Sequence, residues 1–159
     1  MKISTRVRYG VRALMDIAEN GSERPVSLKD VARRQGISEQ YLEQLVLLLK
    51  GAGMLRSVRG SRGGFFLNRS ASEIRINEIV KALGARIAFI DCLENQALCQ
   101  RADCCAVRDL WQEANDAFWS VLSSVTLHDL MQQQQDKVER SRAPYYSVKR
   151  LAVDCTDLR

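Results

Sequence analysis

The chain has 159 residues, 46% of them apolar and only two of them proline, the size of one compact domain with at most one appended element, which argues against a multidomain enzyme. No apolar run approaches the roughly 20 residues needed to cross a bilayer, and the opening MKISTRVRYG is charged rather than a secretory core, so a soluble, cytoplasmic protein is expected. The net charge of +5 is uneven: residues 1–80 carry 14 Lys and Arg against 8 Asp and Glu, residues 81–159 carry 10 against 11, so the first half is expected to meet a polyanion.

Val7, Val11, Leu14 and Ala18, with Ile17 beside them, recur at helical spacing and predict an amphipathic helix over about residues 5–20, ended by NGSERP. Ser27 stands three residues before Asp30 in SLKD, a capping-box pattern that opens a short helix stopped by Gln35 and Gly36. Ser38 can cap a third helix, whose buried stripe is Leu42, Leu45, Val46 and Leu49 and whose end is marked by Gly51 and Gly53. Two short helices across a glycine turn predict a helix-turn-helix. On its second helix Gln40, Glu43, Gln44 and Leu47 fall away from the stripe, where Gln can pair with adenine and Glu can accept from cytosine. A solvated face of an ordinary helical hairpin would carry the same residues.

The next segment separates these readings. MLRSVRGSRGGFFLN holds two β-prone runs, about Leu55 to Val58 and Phe65 to Asn68, around the tip RGSRGG. Arg59, Gly60 and Arg62 stand in that tip, where glycine lets the backbone turn tightly and approach a phosphate or a minor groove. No GKS or GKT follows and no strand-then-helix context surrounds it, so a phosphate loop is disfavoured. A basic hairpin after a helix-turn-helix is the wing of a winged helix, and the partner is double-stranded DNA. Ile74, Ile76, Ile79, Val80 and Leu83 then close a winged domain over residues 1–84, with Gly84 ending a short helix.

MKISTRVRYGVRALMDIA, GISEQYLEQLV, SVRGSRGGFFL and the later CAVRDLW together make the chain resemble the IscR, NsrR and CymR-like (Rrf-two) family of bacterial winged-helix transcription regulators over about residues 1–130. The resemblance implies a homodimeric repressor or activator on a two-fold-related operator. The Tyr41 to Gln44 stretch would lie in the major groove, with Ser38 and Gln40 beside it, and Arg59 in the minor groove.

Residues 85–105 form a cysteine-bearing loop, with Cys92, Cys99, Cys104 and Cys105 within DCLENQALCQRADCC. Thiolates suit iron–sulfur clusters and zinc, but the spacing lacks the paired CxxC of a zinc ribbon and by itself leaves metal, free thiols and a redox disulfide open. The family's cluster-binding members, aligned on CAVRDLW, imply Cys92, Cys99 and Cys105 as ligands of a 2Fe–2S or 4Fe–4S cluster that senses redox, iron–sulfur or nitric oxide status, with Cys104 an extra thiol and candidate fourth ligand. The chain departs from its relatives in two places. Where some carry a ligating histidine it has Arg108, which stays protonated and cannot ligate, and where others carry a carboxylate it has Arg8. Clusterless relatives imply an alternative, a regulator of the same fold that answers to thiol oxidation or a partner protein.

Val107, Trp111, Ala114, Phe118, Val121 and Val125 recur at spacings of four and three, with Leu110 and Leu122 widening the stripe, and predict a long dimerisation helix over residues 106–130. Residues 131–159, with their QQQQ run, basic residues and Cys155, show no periodicity and are expected to be a weakly structured tail. An enzyme is disfavoured: no CxxC sits on a βαβ pattern, and the only histidine, His128, adjoins a Thr126 helix cap, where a surface role is usual. No catalytic residue, small-molecule substrate or membrane contact is expected. The fold expected is mainly α with a small β wing.

Overall fold

Ser4 opens the first helix, α1 (Thr5–Asn20), by accepting from the Val7 backbone N–H at 3.4 Å. The coordinates are a computed structural model that describes residues 3–60, 62–84 and 89–142. Val7, Leu14 and Ile17 turn inward as the periodicity requires, and Gly10 lies where α1 is crossed most closely, since Leu83 fills the space a Cβ would take. The second helix, α2 (Leu28–Gln35), is capped by Ser27 as expected, its Oγ accepting from Asp30 N–H at 3.2 Å, and it is the same hydroxyl that donates to Asp30 Oδ2 at 2.8 Å. That hydroxyl, ahead of the nearby Arg33 and Arg34 charges, holds the Asp30 carboxyl below its usual pKa. Gly36 then takes φ 66°, a left-handed turn that suits glycine. Ser38 caps the third helix, α3 (Glu39–Gly51), whose Leu42, Leu45, Val46 and Leu49 are all buried.

One tie between α1 and α2 carried no periodic signal. Asp16 is only 4% exposed, yet its carboxylate receives Arg34 Nε at 3.0 and 3.1 Å, a second guanidinium nitrogen and Gln35 Nε2 at 2.9 Å. Arg12 Nε donates to Gln35 Oε1 at 2.9 Å. A buried carboxylate is tolerated when it is paired and hydrogen-bonded in this way, and here it fixes the end of α2 immediately before the turn into α3.

Strands β1 (Leu55–Val58) and β2 (Gly64–Leu67) pair antiparallel with Leu55 opposite Leu67 and Val58 opposite Gly64. Val26 adds a bridge to Phe65 through two 2.9 Å bonds, so the wing is tied to the chain that leads into α2. The following helix, α4 (Ile76–Ala82), starts where Glu78 Oε1 accepts from Arg75 N–H at 3.3 Å and Oε2 from Arg69 at 2.7 Å. Ile74, Ile76, Ile79, Val80 and Leu83 are buried against the three-helix core. The result is a winged helix-turn-helix with a two-stranded wing.

Beyond α4 come a short α5 (Asp91–Glu94), two single 3₁₀ turns (Gln96–Leu98 and Ala102–Cys104), then α6 (Ala106–Ser124) and α7 (Leu127–Arg142). The helix expected over 106–130 is therefore two helices. Val125 is extended, its carbonyl accepts from Ile76 N–H at 3.0 Å, and Leu127 N–H donates to Ile74 O at 2.8 Å. Thr126 caps α7, accepting from Asp129 N–H at 3.1 Å while Asp129 Oδ2 takes the Thr126 N–H at 2.8 Å. Main-chain pairing to the segment before α4 thus outcompetes continuation of the helix. Residues 131–142 are helical, not weakly structured: Leu127 is fully buried, Leu130 and Met131 pack on the winged core, and the Gln, Lys and Glu residues that follow propagate a helix already nucleated. Residues 143–159, including Cys155, lie outside the described residues.

Candidate nucleic-acid interface and cysteine loop

At about 100° per residue, Gln40, Glu43, Gln44 and Leu47 point opposite the buried stripe of α3, and all four are exposed. Ser38 is exposed too, but its oxygen is occupied as the cap of α3, accepting from Tyr41 N–H at 3.2 Å, which leaves its proton to donate. Tyr41 is half-buried. Its ring meets Tyr9 of α1 edge-on at 6.2 Å, and the Arg8 and Arg12 guanidiniums lie 5.2 and 5.6 Å from the Tyr9 ring centre. This places two cations of α1 beside the recognition helix, a juxtaposition invisible in a linear reading because only the fold brings α1 next to α3.

On the other side stands the wing. Lys50 Nζ donates to Ser57 Oγ at 2.8 Å, joining the end of α3 to β1. Arg59, Gly60 and Arg62 are exposed at the turn. Gly60 has φ 119° and accepts from Gly63 N–H at 2.9 Å, while Gly63 is so close to the Val58 carbonyl that a side chain there would collide with backbone. Arg62 also borders an open cleft with Arg24, Ser27, Asp30 and Arg34. The eight residues singled out for DNA therefore lie on α3, its cap and the wing tip, with cations on both flanks.

The stripe of α6 divides. Val107 and Val121 are 61% and 62% exposed, and Leu110 and Trp111 are exposed beside them. Ala114 is half-buried. Phe118 is engaged within the chain, its ring edge-on to Phe89 at 6.2 Å and to Trp119 at 5.6 Å, while Val125 and Leu122 pack against the winged core. The heptad pattern could not separate these two sets, because one helix here covers two surfaces.

The cysteine loop is anchored to α6 at both ends. Phe89 stacks on Trp111 at 5.9 Å, and Arg108 Nε donates to the Cys92 carbonyl at 3.5 Å, so Arg108 braces the backbone of Cys92. Cys105 is the residue before α6, its carbonyl accepting from Arg108 and Asp109 N–H at 3.0 and 3.2 Å. Cys92, Cys99 and Cys105 are half-buried and Cys104 is exposed, its Sγ 3.8 Å from the Arg101 carbonyl. Soft thiolates are suitable donors for iron. Yet among the described residues no three of Cys, His, Asp or Glu are gathered closely enough to hold a metal ion. Donor type fits a cluster; the arrangement is open. No helix among the described residues is long and apolar enough to cross a membrane.

The profile of the Rrf2 family, described as iron-dependent transcriptional regulator, matches residues 3–133. The chain is 46% identical over 131 residues to protein rrf2 of Nitratidesulfovibrio vulgaris, covering 82% of this chain and 87% of that one. In structure it is similar to IscR of T. potens (TM-score 0.70, 35% identity, 86% of this chain and 90% of the other). It is equally similar to CymR, the global cysteine regulator of B. subtilis (TM-score 0.70, 38% identity, 84% and 98%).

Proposed function

The chain belongs to the Rrf2 family of transcriptional regulators, which are not enzymes, and on that premise we propose a cytoplasmic, homodimeric regulator that binds an operator and reads its signal at the cysteine loop. One observation carries the reading: the loop sits at the start of α6, and the end of α6 is hydrogen-bonded to the winged domain, through Ser123 to Arg75 and Asn77 (2.8 and 2.7 Å) and through Val125 to Ile76. A change in the loop that moves α6 therefore bears directly on the segment that closes the DNA-binding core. Gln40, Tyr41, Glu43 and Gln44 meet base edges of the major groove, Ser38 donates to the backbone, and Arg59, Gly60 and Arg62 enter the minor groove. Val107, Trp111, Ala114 and Val121 meet their copies in a second chain.

Cys92, Cys99 and Cys105 hold an iron–sulfur cluster in this reading, with Cys104 as the spare thiol. When bound, the cluster supplies redox and ligand-exchange chemistry that makes loop conformation depend on iron, sulfide and oxidant status. The residues do the rest: Arg108 keeps the Cys92 backbone against α6, and Cys105 starts the helix. A second reading is favoured by the likeness to CymR, the global cysteine regulator of B. subtilis, and by the exposure of Cys104. In it the loop carries no cluster and responds to thiol oxidation or a partner protein.

Anaerobic purification with visible absorption, iron and sulfide analysis separates the two. The expected result is iron and sulfide in the wild type, lost in Cys92→Ser, Cys99→Ser and Cys105→Ser and retained in Cys104→Ser. Loss with Cys104→Ser but not Cys105→Ser moves the ligand register by one residue. Iron-free wild-type protein rejects the cluster and leaves the clusterless regulator.

A further inference from the structure

We propose that Leu47 is a specificity-determining residue of the recognition helix and reads the 5-methyl group of a thymine in the major groove. The inference rests on the DNA-binding reading above. Leu47 is 69% exposed, the most exposed large apolar side chain among the described residues, and it is central in the face that α3 presents. By helical geometry it lies within about 20° of Gln40 around the axis, with Glu43 to one side and Gln44 to the other. Leu42, Leu45, Val46 and Leu49, the apolar residues that hold the helix in the core, point the opposite way. Packing within the chain therefore gives no reason for leucine here.

The surroundings indicate what covers it. The next turn of α3 carries Lys50, bonded to Ser57 of β1. Arg59 and Arg62 stand at the wing tip, and Arg8 and Arg12 are gathered around Tyr9 beside Tyr41. An exposed leucine between Gln40, Glu43 and Gln44, with Leu48 at 40% exposure as its other apolar neighbour on the helix and cations on α1, at the end of α3 and on the wing tip, is a poor match for an apolar protein surface and a good one for DNA, whose phosphates meet the rim while the groove meets the centre. Within the major groove the apolar feature on a base edge is the thymine methyl. Gln40, Glu43 and Gln44 can use the donors and acceptors around it; an isobutyl group cannot. Seven residues of helix separate Gln40 from Leu47, about 10 Å, so the thymine lies up to about three base pairs, at roughly 3.4 Å each, from the base that Gln40 addresses.

The test uses the full chain and a duplex it enriches from a random-sequence pool. Each thymine in one half-site is replaced in turn by deoxyuridine, which keeps the pairing and lacks the methyl group, and binding is measured by anisotropy at fixed salt. One position is expected to weaken wild-type binding about fourfold, the loss that accompanies one buried methyl-sized group. Leu47→Ala is expected to bind the thymine duplex several-fold more weakly and to be indifferent to that replacement. Alanine at an exposed helix position favours the helix, and far-UV circular dichroism verifies that the fold is kept. Wild-type binding that is specific but indifferent to every replacement overturns the inference and leaves the regulator intact. Equal sensitivity in wild type and Leu47→Ala assigns the methyl to another residue and overturns it too. Failure of the wild type to enrich any duplex is the separate outcome that removes the DNA-binding reading on which the inference stands.

Discussion

Arg59 stands beside a glycine whose φ of 119° is open to few other residues, and the turn that follows is closed by the Gly63 to Gly60 bond. The exposed guanidinium is thus carried on a backbone of restricted shape, which is what insertion into a narrow groove needs. Arg59→Ala is expected to weaken specific operator binding by about 1 to 3 kcal/mol while leaving the fold intact. Anisotropy titrations on specific and scrambled duplexes check it. A loss equal on both, with a shallower salt slope, would reduce Arg59 to a phosphate contact, and unchanged binding would remove it from the interface. Capping residues were legible at this scale, since Ser27, Ser38 and Thr126 satisfy backbone groups within three residues of themselves. Asp16 was not, because its partners Arg34 and Gln35 are 18 and 19 positions away.

The helical elements differ in how they start, and for α4 the start is titratable. Arg69 and the Arg75 N–H hold the Glu78 carboxyl below its usual pKa of 4.5, against the opposing effect of burial. Because the folded value is the lower one, the stabilisation is fully present above the unfolded pKa and is lost as pH falls through the folded value. Both side chains are more than a third exposed, so screening limits it to about 0.5 to 1 kcal/mol. Glu78→Gln is therefore expected to melt below wild type at neutral pH by a margin that shrinks as pH drops below about 4.5. Thermal midpoints measured from pH 7 to pH 3 decide it: a margin that stays constant assigns the difference to helix capping without charge. The break between α6 and α7 is the element-level feature that periodicity missed, because the apolar stripe continues through Val125 while the backbone there pairs with Ile74 and Ile76 instead.

For the whole molecule, α6 has one side on the winged core and another that is apolar and exposed. Val121 is on the exposed side at 62%, so Val121→Glu leaves intrachain packing alone, whereas any change at Phe118 also disturbs Phe89 and Trp119. Wild type is expected to sediment as a dimer at micromolar concentration and Val121→Glu as a monomer of unchanged helicity. A buried unpaired carboxylate costs several kcal/mol and a two-fold interface meets it twice. A monomeric wild type overturns the homodimer.

The sequence by itself determined the four helices of the winged domain, the glycine turn, the wing and the polar side of α3, because each depends on periodicity, a cap or a glycine within a few residues of its effect. It also singled out the cysteines and the long apolar stripe as features to be explained. The tertiary structure decided what those features face. It put Arg8 and Arg12 beside Tyr41, braced Cys92 with Arg108, divided the α6 stripe between the core and the surface, and folded residues 131–142 into a helix against the winged domain. Those outcomes come from pairings between segments 16 to about 120 residues apart, where the loss of chain entropy is met only by contacts that exist once the core has formed.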